Sequence, residues 1–364
     1  MKKVIAILLA LVMVIGLAAC GTPANDNNSA NTIEENTANV EENITNNENT
    51  EPPEPPKPLY TNPLTGEETE TDISGNRPFA ISMNNQVAAI PMHGITAADI
   101  MIEMTVENGV TRIFSMFHDI DSSIRKIGSI RSARPYFLDW ALTFDAIYIT
   151  AGGSDTANYQ IPRRNVAYVN CDHGRVPSIF YRDPERTSTY AWEHTLFASG
   201  EGFEKHREDL PVDLNHKEGY ECTLKFTNTA QTADGEKAEN FTVIMNPVKS
   251  TLFEYDSEKK LYFISQHGRP FMDGNNDQQV CVKNVLVLPM SYWPEYAGAI
   301  TLAADTSGGE GQYFCEGKVI DIKWTRSDEE GLILMKEDGS PLELAVGKTY
   351  ICCSDLYNGK VEIK

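Results

Sequence analysis

A basic pair, Lys2-Lys3, an apolar run from Val4 to Leu17 and the sequence Leu17-Ala18-Ala19-Cys20 open this chain and withdraw its first twenty residues from whatever the rest folds into. The run is short for a bilayer span, which takes about 20 apolar residues. Small residues ahead of a cysteine suit a peptidase that needs a slim, extended substrate. Residues 1–20 therefore read as a lipoprotein signal peptide, with Cys20 lipidated and left as the new N-terminus. Two or three palmitate-type chains, at about 0.8 kcal/mol per buried CH₂, make a stable membrane anchor. The implied address is the extracytoplasmic face of the cell membrane.

Residues 21–59 cannot fold alone, being mostly Asn, Glu, Thr and Pro with few apolar side chains beyond Ile33, Val40 and Ile44. Too little apolar surface is available there to offset the entropy of ordering. This segment is expected to be a disordered acidic tether, stiffened near its end by Pro52-Pro53-Glu54-Pro55-Pro56-Lys57-Pro58. Its typical reach is on the order of 35 Å. The formal charge is −21, and −23 once Lys2 and Lys3 leave with the signal. Nucleic-acid binding rests on phosphate neutralisation by basic surface, so nucleic acid is excluded as a general partner.

About 300 residues remain, enough for two ordinary domains. Residues 60–224 alternate strand and helix signals and read as an α/β or α+β domain. Pro78–Met83 is a strand candidate, and Ala98–Val106 and Val110–Phe117 read as a hairpin joined by Glu107-Asn108-Gly109, because an Asn-Gly pair favours a tight turn. Ser132 is expected to cap a helix carrying Pro135 in its first turn and Phe137, Trp140, Ala141 and Phe144 on one face. A strand over Ala146–Thr150, the turn Gly152-Gly153 and a short helix capped by Ser154 follow. Residues 225–364 read as mainly β, a sandwich or barrel of short strands including Phe241–Met245, Leu261–Ser265, Val280–Leu288, Val319–Thr325 and Lys348–Cys353. Without Cys20, six cysteines remain, with no CxxC spacing; buried free thiols are expected, and adjacent Cys352 and Cys353 should face opposite ways along a strand.

Arginine carries the most chemistry. Eleven of the thirteen lie between Arg77 and Arg207, although the chain as a whole is acidic. Arg112, Arg131 and Arg134 stand near the expected hairpin and helix start, where the helix dipole disfavours cations by roughly 0.3–1 kcal/mol. A bound anion would reverse that sign, so Arg112, Arg131, Ser132, Arg134, Gly153, Ser154 and Glu103 are the candidate residues for a phosphate or carboxylate ligand. The alternative is that the arginines pair with Glu103, Glu107, Asp119, Asp139 and Asp145 and only fix geometry. His93, His118, His173 and His194 form no recognised metal motif, and no metal or cofactor is implied. Asn170-Cys171-Asp172-His173 puts a thiol beside a histidine in sequence only.

Arg77-Pro78-Phe79-Ala80-Ile81 with Asn84, Glu103 through Arg112, Arg131 to Pro135, Gly152-Gly153-Ser154, Asn284-Val285 and the stretch from Trp324 to Thr349 together resemble the YerB-type bacterial lipoproteins, a family of unknown function with separately described N- and C-terminal domains. The family pattern tends to have a second glycine at Asn108 and a proline at Ser129; asparagine tolerates a left-handed turn, so the hairpin survives. The resemblance implies a lipid-anchored envelope protein and supplies no reaction.

The leading expectation is a lipid-anchored cell-envelope binding or accessory protein, whose first domain recognises an anionic wall or lipid-linked ligand. One alternative is an envelope enzyme acting on a phosphorylated or glycan substrate, with Glu103, Glu107 or Asp155 supplying the carboxylate. Another is a scaffold partner of wall-synthesis proteins. Replacing the lipidated thiol, Cys20→Ser, should abolish incorporation of radiolabelled palmitate and move the protein from the membrane fraction to the soluble one; unchanged labelling would reject Cys20 as the anchor.

Overall fold

The computed structural model describes residues 59–173 and 176–364; the expected signal peptide, its Cys20 and the expected tether up to residue 58 lie outside them. Among the described residues no helix is long and apolar enough to cross a membrane.

The hairpin forms where its turn chemistry places it. Asn108 and Gly109 both take left-handed φ values, 59° and 71°, and strands Ile100–Thr105 and Thr111–Phe117 pair antiparallel from Ile100↔Met116 to Thr105↔Thr111. Phe79–Asn84 lies antiparallel on the far side of Thr111–Phe117, followed in parallel by Ile147–Thr150 and Tyr168–Asn170. The helix Pro135–Thr143 starts later than the expected cap. Arg134, not Ser132, holds the N-cap position at φ −129°, ψ 154°, without a side-chain cap. Pro135 disfavours helical geometry in the residue before it, and Ala133 is already committed to an extended bridge with Gly153. Ser154 does cap its short helix, Asp155–Gln160, accepting the Ala157 N–H.

An N-terminal α/β domain is thus followed by a mainly-β domain, and most strands of the second divide between two large sheets, the rest forming two two-stranded ribbons. Thr349–Cys353 runs parallel between Ile100–Thr105 of the first domain and Asn284–Val287 of the second, so one eleven-stranded sheet passes through both. The expected single strand over Val280–Leu288 breaks at Lys283: Cys281–Val282 joins the second, six-stranded sheet and Asn284–Val287 the large one. Gly308–Cys315 is a strand whose glycines hide the apolar alternation. One of them, Gly311, is required by close approach, since a Cβ there would sit 2.7 Å from the Val287 carbonyl.

Each face of the large sheet is covered by an element that ties the domains together. On one face the helix Pro135–Thr143 stacks Trp140 on Trp324 at 6.4 Å. On the other, the six-stranded sheet stacks Phe241 on Phe314 at 3.8 Å. Cys352 and Cys353 point into these two separate cores, and all six described cysteines are unbridged.

Into the second of these cores projects Glu103, fully buried. Its carboxylate accepts from Thr111 Oγ1 (2.7 Å), Asn85 Nδ2 (3.0 Å), Thr251 Oγ1 (2.8 Å) and Tyr350 Oη (2.9 Å), and Lys249 Nζ lies 3.4 Å away. Burial alone would push the carboxyl up; the ammonium and the hydroxyl donors outweigh it and hold Glu103 below its ordinary range. Four strands from both domains meet at this one side chain. Glu103→Gln should leave Lys249 buried without its charge partner and cost about 3–5 kcal/mol, read as a lower urea midpoint with an unchanged slope; a wild-type midpoint would show that the network carries no stability.

Candidate functional site

Strands Phe79–Asn84, Ile100–Thr105, Ile147–Thr150, Tyr168–Asn170, Asn284–Val287 and Thr349–Cys353 all run in one direction, so their carboxyl ends share one edge of the sheet. Open α/β sheets bind ligands outside the carboxyl ends of their strands. At this edge Arg112 sits opposite both Asn84 and Met104. Ile130 bridges Met83, and Ala133 bridges Gly153, so the Arg131–Arg134 segment is drawn across the strand ends. Arg112 of the hairpin and the Arg131–Arg134 segment thus converge there.

Arg112 and Arg134 are buried, at 4% and 5% exposure. Arg112 Nη1 donates to the Ser132 carbonyl at 2.5 Å and Nη2 lies 3.7 Å from Glu107. Arg134 donates through Nε to Glu107 at 3.1 Å, through Nη2 to the same carboxylate, and through Nη1 to the Ala133 carbonyl at 2.6 Å. Glu107 of the hairpin turn therefore holds both guanidinia. Arg131, with its side chain 14% exposed, donates to the Glu193 carbonyl at 3.1 Å and lies 3.5 Å from the Glu193 carboxylate, itself 56% exposed. Burial, and next the like charge of Arg131, push Arg112 down to about 10. Burial also lowers Arg131, which Glu193 opposes, and Arg134, which the neighbouring tyrosines and Glu295 oppose.

The other candidates are distributed unevenly. Ser154 Oγ donates to Glu295 Oε1 at 2.6 Å, and the second oxygen of that carboxylate is buried without a partner. Gly152 donates its N–H to the Asn170 side chain, and Gly153 is spanned by the Asn158 amide bonding to its carbonyl. Asp155 opens the short helix beyond Ser154. Glu103 is not brought to the arginines: it pairs across from Ile113 while Arg112 pairs across from Met104, and alternation sends the two side chains to opposite faces. Arg125 pairs with exposed Glu185 elsewhere, and Arg164 bonds Asp139 and Asp328 across the two domains. Glu193 and His194, neighbours in the 3-10 turn Trp192–His194, and Glu295, next to the strand Tyr292–Pro294, join the site without a sequence signal, because both segments are distant in sequence from the arginines. His194 Nδ1 accepts from Asn84 Nδ2 at 2.7 Å, and burial, then Arg131, lower its pKa.

Among the described residues no three His, Cys, Asp or Glu side chains gather as a metal site. Cys171 donates its thiol to the Thr150 carbonyl at 3.0 Å, and burial raises it far above the ordinary thiol range. Five of the cavities in the described structure, of roughly 210 to 690 Å³, have walls that do not include Arg112, Arg131 or Arg134.

Residues 64–213 match the model described as Protein of unknown function (DUF3048) N-terminal domain, and residues 219–351 match its C-terminal domain. YerB of Bacillus subtilis (strain 168), named as a candidate lipoprotein, is 28% identical over 302 residues, which are 79% of this chain and 84% of the relative. The crystal structure of YerB from Bacillus subtilis superposes with a TM-score of 0.70 at 25% identity, covering 83% of this chain and 99% of that one. The chain belongs to this two-domain family of unknown function.

Two buried histidines couple the fold to pH. Burial, then nearby charge, lowers both His93 and His118 from 6.5 to about 4, the neighbours being Lys126 and Arg186 for the first and His216 for the second. Between those values the unfolded chain takes up protons that the native one refuses, so stability is full above 6.5 and falls as the pH drops toward 4. Neither ring nitrogen of His118 has a hydrogen-bond partner. Urea midpoints measured at intervals from pH 7.5 to pH 4.5 should fall for the wild type and less steeply for His118→Phe; parallel slopes would remove His118 from this coupling.

Proposed function

We propose, with membership of a family of unknown function as the premise, that the protein is a lipid-anchored accessory protein of the cell envelope that binds an anionic phosphate or carboxylate group at the carboxyl edge of its first domain. The observation that carries this reading is the crowding of like charge: buried Arg112 stands near Arg131, whose charge adds to burial in disfavouring the charged form of Arg112. An anion placed between them would relieve that repulsion. Glu107 occupies Arg134 and fixes Arg112 from below, which leaves Arg131 as the adjustable member. Its partner Glu193 is largely in solvent, so a ligand oxygen can take its place at small cost. The acyl chains on Cys20 would supply retention and local concentration on the extracytoplasmic side, and recognition would belong to the folded part.

The scaffold reading draws support from one feature of the second domain. The hairpin formed by Tyr292–Pro294 and Leu302–Ala304 exposes Trp293, Tyr296 and Ile300 beside Glu295, the residue that holds Ser154. Such a cluster is the kind of surface that proteins bury on one another.

Equilibrium binding of a lipid-linked diphosphate sugar and of carboxylate-bearing wall fragments separates the two. Arg131→Ala should weaken binding by about 1.5–3 kcal/mol, the worth of a hydrogen bond to a charged group, and Glu193→Ala should tighten it by freeing Arg131. Affinities indifferent to both substitutions reject the anion site. A protein crosslink in intact cells that survives Arg131→Ala and is lost with Trp293→Ser favours the scaffold.

A further inference from the structure

A second concentration of positive charge lies at the opposite, amino edge of the parallel strands, in a cavity of about 480 Å³. Four lysines, Lys259, Lys260, Lys283 and Lys348, line it, against one lining carboxylate, Glu67. In a chain of formal charge −21 this is a local reversal of sign. The walls come from both domains: Glu67, Thr96 and Met101 from the first, and the segments around Lys260, Cys281 and Lys348 from the second. Volumes of this size hold small-molecule ligands, which favour such seams between domains.

The lysines are only partly spoken for. Lys283 bonds Glu316 at 2.6 Å, and Lys260 reaches the same carboxylate only at 3.9 Å. Lys259 lies 3.9 Å from Asp256. Lys348, half-buried, donates to the Thr96 carbonyl and makes no direct ion pair among the described residues, the buried Asp99 carboxyl feeling its charge from further away. Its position follows from the fold: it immediately precedes Thr349–Cys353, the strand that joins the two domains, and is therefore held in place by the pairing of that strand. Met101, Leu261 and Val282 give the cavity an apolar floor, so water is partly displaced from beneath the ammonium groups and their pull on an anion is strengthened. The half-buried thiol of Cys281 opens into the same space.

We propose that this cavity is a binding site for a small, multiply charged oxyanion, a compound with two or more phosphate or carboxylate groups, held by Lys348, Lys283 and Lys260. The site is independent of the arginine edge, shares no residue with it, and would stand if the anion site at Arg131 were disproved.

Cys281 provides the readout. The full-length protein in non-ionic detergent would be alkylated with N-ethylmaleimide at constant ionic strength, with sodium pyrophosphate as the probe and each thiol followed by peptide mass spectrometry. Pyrophosphate should slow alkylation of Cys281 saturably, by about fivefold or more, and leave Cys222, the other half-buried thiol, unaffected. Lys348→Gln should raise the half-saturating concentration about tenfold, the equivalent of one lost charged contact. Lys260→Gln, at a side chain 62% exposed where folding is not at stake, should raise it in the same direction, while Arg131→Ala should leave it unchanged. A Cys281 rate insensitive to pyrophosphate, equal slowing at Cys222, slowing reproduced by sodium chloride, or wild-type half-saturation in both lysine variants would each overturn the proposal.

Discussion

The parallel pairing of Ile100–Thr105 with Thr349–Cys353 is the contact on which the rest of the molecule hangs. It brings a strand from the end of the chain beside one from the first domain's hairpin, and so makes one sheet of two sequence-distant halves. The buried charge at its centre sharpens that pairing. Glu103 can be ionised inside the core only if Lys249, Thr251 and Tyr350 of the second domain arrive together with Thr111 and Asn85 of the first. A register slip of one residue would turn Glu103 to the other face and strand its charge in apolar surroundings. The ion pair thereby penalises wrong pairings more than it rewards the right one.

Both candidate sites inherit their positions from this sheet. At its carboxyl edge, strand ends carry Asn84 and the start of the antiparallel strand bearing Arg112, and the bridges at Ile130 and Ala133 lay Arg131 and Arg134 across them. At its amino edge, Lys348 is set by the same strand that meets Glu103. Both edges of the sheet therefore present cations on a protein whose net charge is strongly negative. The arginine edge is charge-compensated by Glu107 and Glu193, whereas the lysine edge is less fully compensated and hollow. A ligand at the first would have to displace a side chain, whereas at the second it would need only to enter.

Local chemistry was legible where neighbours in sequence decide the geometry. The Asn108-Gly109 turn, the Ser154 cap and the opposed faces of Cys352 and Cys353 follow from backbone preferences and the two-residue period of a strand. The helix start was legible in kind and displaced in position, because the bridge from Ala133 to Gly153 and the constraint of Pro135 on Arg134 compete with the capping preference of Ser132. Grouping Glu103 with the arginines followed from proximity in sequence, and strand alternation separates them. Glu193, His194 and Glu295 carried no signal for this edge, since the turn Trp192–His194 and the segment bearing Glu295 reach it only through tertiary packing.

The sequence by itself determined that an α/β half precedes a mainly-β half; composition and short-range periodicity are sufficient for that. Only the tertiary structure decided that the two halves share one sheet, that Glu103 belongs to a core ion pair, and that lysines from separate segments enclose a cavity. Each of those outcomes depends on which strands become neighbours. That choice is made by the packing of whole faces, a long-range property that no local window of residues contains.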